Sequence, residues 1–142
     1  MWPFTPKTVY DKYKKLIQLL ISIDPKYMEI TKKEPTEVYI QSNREDNIVD
    51  FTIKKNFDST FKNIGYSDLT VDFVTVEVLM IYDDYHEDFG KTYPQNMKQS
   101  YIFQDIMFEI NSRIKKIIFT NHKDEIADEL EKMKLLYDMF VK

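Results

Sequence analysis

Leu69-Thr-Val-Asp-Phe-Val-Thr-Val-Glu-Val-Leu-Met-Ile-Tyr82 is the longest β-forming run in the chain, and its reading decides the fold. β-Branched and aromatic side chains dominate it, and these suit a pleated surface better than a helix. Its even positions Val74, Val76, Val78, Met80 and Tyr82 form one row, and Leu69, Val71, Phe73, Leu79 and Ile81 form the other. Thr70 and Asp72 interrupt the even row, while Thr75 and Glu77 interrupt the odd one, so the buried face is expected to change sides near Thr75 through a bulge or bend. Fourteen residues at about 3.3 Å each would span roughly 46 Å, well beyond an ordinary strand. The expectation is a bent central strand, covered on both faces in its middle.

On the N-terminal side of this run, apolar and polar residues alternate in three shorter stretches. Tyr27 to Lys32 and Thr36 to Gln41 are separated by the turn signal Lys33-Glu34-Pro35, and Ile48 to Lys54 places Val49, Phe51 and Ile53 on one face after the polar cluster Ser42 to Asn47. Phe57 to Asp68 reads as a loop. Strand signals in succession, joined by short polar connections, predict an antiparallel meander of about four strands.

Helical periodicity flanks this sheet on both sides. Val9, Tyr13, Leu16, Leu20 and Ile23 recur at spacings of four, three, four and three, with Thr5-Pro6 as a start signal and Asp24-Pro25 as a stop. Trp2 and Phe4, ahead of that start, are expected to fold back on the first turn. After Gln95, the stripe Phe103, Ile106, Ile110, Ile114 and Ile117 defines a second helix, with Met97, Tyr101, Ile102 and Phe108 widening its apolar surface. A helix so apolar is expected between two elements, so residues 97–118 offer a surface for a homodimer. Thr120-Asn121 then breaks the pattern, and Ile126, Leu130, Met133, Tyr137 and Phe140 mark a last amphipathic helix. The predicted fold is therefore α+β, with an N-terminal helix, a four-stranded meander and two C-terminal helices packed on the sheet, all in one domain over residues 1–142.

Composition narrows the function classes. The formal charge is −4, with acidic and basic residues interspersed, so the electrostatic footprint of a nucleic-acid binder is missing. With no cysteine, thiolate metal sites, disulfides and a cysteine nucleophile are excluded. Only Gly65 and Gly90 are glycines, which rules out a phosphate-binding glycine loop, a dinucleotide fingerprint and a nucleophile elbow. No cofactor is expected. No apolar run approaches the roughly 20 residues of a membrane span. Lys12, Lys14 and Lys15 precede an apolar run, but Asp24-Pro25-Lys26 is a poor cleavage site, so a cytoplasmic location is expected.

The densest set of functional residue types follows the long strand. Asp83, Asp84, His86, Glu87 and Asp88 read as an acidic loop interleaved with Tyr82, Tyr85, Phe89 and Tyr93. One reading is a partner-binding edge made of Tyr82, Asp83, Asp84, Tyr85, Glu87, Asp88, Phe89 and Tyr93, used by a non-catalytic interaction protein of the inhibitor, immunity, chaperone or phage-assembly kind. The alternative is a metal-dependent enzyme or metal-binding module using Asp83, Asp84, His86, Glu87 and Asp88, although their spacing matches no recognised ligand pattern. Asp72 and Glu77 fall on opposite faces of a regular strand and cannot act on one bond. Asp50 and Lys54 lack the third acidic partner of a nuclease. Arg113, Lys115 and Lys116 are too few for a nucleic-acid groove and read as the solvent face of their helix.

Overall fold

A computed structural model describes residues 7–58, 71–82, 85–121 and 124–141. Leu69, Thr70, Asp83 and Asp84, together with the start signal Thr5-Pro6 and the residues Trp2 and Phe4, lie outside them. The fold is α+β. Two short helices, α1 (Val9–Lys12) and α2 (Lys14–Ile21), precede five strands and two further helices. The strands are β1 (Met28–Lys33), β2 (Glu37–Ser42), β3 (Ile48–Asp58), β4 (Val71–Tyr82) and β5 (Tyr85–Pro94), followed by α3 (Gln99–Asn121) and α4 (Asp124–Val141). Every strand pairs antiparallel with its sequence neighbour, in the order β1-β2-β3-β4-β5. Among the described residues no helix is long and apolar enough to cross a membrane.

The single N-terminal helix expected from periodicity is divided at Tyr13, whose backbone (φ −115°, ψ 28°) leaves the helical region. Thr8 is the observed cap, accepting the Asp11 N–H on its hydroxyl. The division has an identifiable cause. An unbroken helix would join the Leu16 N–H to the Lys12 carbonyl, but the Gln99 side chain stands between them. Its Oε1 accepts from Leu16 N at 2.8 Å and its Nε2 donates to the Lys12 carbonyl at 2.7 Å. An amide inserted into the ladder kinks the helix while giving both of these backbone groups a partner. The apolar stripe survives, since Val9, Tyr13, Leu16, Ile17, Leu20 and Ile23 are all buried.

The long strand pairs with β3 in one unbroken register, from Asp58↔Val71 to Ile48↔Ile81. The expected change of buried face near Thr75 therefore does not occur. Val74, Val76, Val78, Met80 and Tyr82 are buried throughout, beside Val38, Ile40, Val49, Phe51 and Ile53 of the neighbouring strands. Thr75, Leu79 and Ile81 on the other face are half-buried and Glu77 is exposed. Nor is the middle of β4 covered on both sides. Asp72, which suggested the exchange, lies at the strand's start on the inner row, where Lys55 pairs with it at 3.5 Å. The sheet thus has an inner face packed on the helices and an outer face that no other described element covers.

α3 carries the opposing half of the core. Ile102, Phe103, Ile106, Met107, Ile110, Ile114 and Ile117 are all buried, so its predicted stripe faces the sheet and α2. α4 packs against α3, and its Met133 accepts a hydrogen bond from the buried Tyr82 hydroxyl at 2.7 Å. Tyr101 and Phe108 of α3 remain more than half exposed, as do Leu135 and Met139 of α4.

Candidate functional site at the β4–β5 edge

The stretch expected to be an acidic loop is a ten-residue edge strand, β5, which raises the strand count from four to five. Strand alternation then divides the candidate residues between two faces. Tyr85, Glu87, Phe89, Lys91 and Tyr93 pair with Tyr82, Met80, Val78, Val76 and Val74, so they point inward to the helices. His86, Asp88, Gly90 and Thr92 point outward. Of the predicted partner-binding residues, Tyr82 and Tyr93 belong to the core at 3% and 5% exposure. Tyr85 and Phe89 are partly buried against the core, and Asp88 is exposed.

An ion-pair network joins the inner side of β5 to α3. The Tyr93 hydroxyl donates to Asp105 Oδ2 at 2.6 Å, and Lys91 Nζ reaches the same oxygen at 2.6 Å and Glu109 at 3.4 Å. Arg113 bonds Glu109 at 2.5 Å, approaches Glu87 at 3.4 Å and lies 3.6 Å over the Phe89 ring. Burial pushes the Tyr93 hydroxyl far above its ordinary range, and its bond to Asp105 adds to that. Burial acts to raise the Asp105 carboxyl, but the bonds from Lys91 and Tyr93 outweigh it and hold the group below its ordinary value. Glu109 is likewise held low, chiefly by Arg113, and the bond to Asp105 raises Lys91. Each member answers another's charge, so the network fastens the edge strand to the helix. Arg113, expected on a solvent face, is half-buried here, whereas Lys115 and Lys116 are exposed. Asp105, Glu109 and Arg113 stand four residues apart, and that spacing is the one signal in the sequence for this charged stripe.

The outer face is different in kind. Tyr39, Thr52, Glu77 and Gly90 form one cross-strand row, and Asp50, Leu79 and Asp88 form the next. Together with Thr75 and Thr92 they bound an open basin of about 570 Å³. Thr75 is spoken for, meeting Asn56 on one side and the Thr92 hydroxyl at 2.8 Å on the other. Glu77 pairs with Lys54 at 2.9 Å, which raises that lysine. Asp50 accepts the Ser42 N–H at 2.8 Å, but burial outweighs that bond and pushes its carboxyl up.

The metal alternative requires Asp83, Asp84, His86, Glu87 and Asp88 to converge. Alternation turns Glu87 inward to Arg113 and sends His86 and Asp88 outward, while Asp83 and Asp84 lie outside the described residues. Among the described residues no three such side chains come together. No family model, curated protein or solved structure matches the chain.

Proposed function

We propose that the protein is a non-catalytic interaction module that captures a protein partner at the β5 end of its sheet. The observation that carries this reading is the one-sidedness of the sheet. On the inner side α1 and α3 pack against the strands and α2 and α4 against α3, while the outer face and the free side of β5 present polar and acidic groups to solvent among the described residues. An edge strand offers unpaired backbone groups to an added strand, and side chains on the adjoining face select the partner. The strongly shifted groups Tyr93, Asp105 and Lys91 satisfy one another within the β5–α3 network, which favours a structural role for them over acid-base work.

The test is partner recovery by wild-type protein and by a variant with Asp83→Asn, Asp84→Asn and Asp88→Asn. These substitutions remove charge from the β4–β5 hairpin, and Asp88 among them lies on the outward row of β5, away from the inner network. Loss of the partner is the expected result. Undiminished recovery would place the binding surface elsewhere.

A further inference from the structure

We propose that the outer basin seats an arginine or lysine side chain from an extended basic segment of the partner, with its aliphatic stem on Leu79 and its head among Asp50, Glu77 and Asp88. This rests on the interaction reading above and specifies its chemistry. Leu79 lies directly between Asp50 on β3 and Asp88 on β5, and Glu77 precedes it by two residues on the same face of β4. With strands about 4.8 Å apart, the Cα atoms of Asp50 and Asp88 stand roughly 10 Å from each other, and that of Glu77 lies on a diagonal of about 7–8 Å from each. Among the described residues these carboxylates do not group to hold a metal ion, whose oxygen ligands must approach to about 2.0–2.6 Å. They do suit a long cationic side chain, which lays its methylene stem on an apolar residue and shares its head between acceptors.

The charge of the basin selects its occupant. Its lining includes Asp50, Glu77 and Asp88 and no lysine or arginine. Glu77 is partly neutralised by Lys54, whereas Asp50 and Asp88 meet no basic side chain within 4 Å among the described residues. Gly90 supplies the space. A Cβ there would stand 3.5 Å from Glu77 Cγ and 3.8 Å from Thr75 Cγ2, both ordinary contacts, so neither crowding nor backbone conformation demands glycine. What its missing side chain does is leave the middle of the basin open beside Glu77. A ladder of polar threonines and Tyr39 at the margins suits an extended backbone lying across the strands.

Titration of a blocked hexapeptide of alternating threonine and arginine, followed by amide chemical shifts, tests this directly. The largest shifts are expected at Asp50, Leu79, Asp88 and Gly90, with no binding by the same peptide carrying neutral citrulline. Asp50→Asn and Asp88→Asn should each weaken binding by about threefold and together by about tenfold, and Gly90→Val should weaken it by filling the basin. Asparagine at position 50 keeps an acceptor for the Ser42 N–H and removes a charge that burial disfavours, so that variant should melt no lower than wild type. Binding that is equal for arginine and citrulline, unchanged in the double variant, or centred on other amides would overturn the proposal. Partner capture separates the two readings. If the hairpin variant loses the partner while Asp50→Asn with Gly90→Val keeps it, the interaction module stands and the arginine seat falls.

Discussion

Replacing Tyr93 by phenylalanine removes one hydroxyl from a ring that is otherwise packed in the core. The hydroxyl donates to a carboxylate at 2.6 Å, and hydrogen bonds to charged groups contribute about 1.5–3 kcal/mol. The Asp105 side chain is 37% exposed and keeps its bond to Lys91, so solvent screening puts the cost at the lower end, about 1.5 kcal/mol. For a chain of this size that is a fall in Tm of about 5 °C. Urea denaturation of both proteins across pH provides the assay. Asp105 is held below its ordinary value, so its contribution is present above the unfolded carboxyl value near 3.9 and is lost as pH falls through the lower folded value. Tyr93 is held above its ordinary value, so its contribution is complete below the unfolded tyrosine value near 10 and declines as pH rises beyond it. The gap between the two proteins should therefore be widest from about pH 5 to 9 and narrow on either side. A gap under about 0.5 kcal/mol at pH 7, or one that persists unchanged at pH 2, would refute the assignment of this bond as an anchor of β5.

Two other measurements probe different parts of the fold. Phe51, 1% exposed, fills the middle of the inner face, and Phe51→Ala should cost about 3–5 kcal/mol by denaturant titration; a loss under 1 kcal/mol would mean that the sheet and helices do not meet there. Tyr101 and Phe108 lie on one side of α3 at 54% and 59% exposure, and a second copy of the chain is the expected occupant of that strip. Sedimentation velocity should show a concentration-dependent dimer that Phe108→Glu abolishes, and a monomer at all concentrations would remove this strip as a contact between copies.

What could be read from the sequence follows from how local each signal is. The stripes from Val9 to Ile23 and from Phe103 to Ile117 were legible because a helix repeats its apolar face every three or four residues, whatever lies opposite. The first four strands were legible because their inner faces are apolar. β5 was not, because its inner row Tyr85-Glu87-Phe89-Lys91-Tyr93 mixes aromatic and charged residues, and the charges make sense only beside Asp105, Glu109 and Arg113 on another element. Leu79 and Ile81 misled in the opposite direction, since apolar residues on an open face resemble a second core. Tyr82 and Tyr93 looked like members of an acidic surface patch by proximity in sequence, whereas alternation turns both into the interior. The outer basin depends on register, which brings Asp50, Leu79 and Asp88 of three strands into line, and no single segment announces it.

The Gln99 amide, which replaces one peptide hydrogen bond between α1 and α2, also has a kinetic meaning. Each strand pairing in the meander closes between neighbours in sequence, but this clasp joins groups 83 and 87 residues apart. Contacts across such a separation require most of the chain to be in place before they repay the loss of chain entropy. The first helix can therefore form early as an unkinked segment and acquire its division only when α3 docks. Loss of the clasp in Gln99→Ala would then show chiefly as faster unfolding, with the rate of folding little changed.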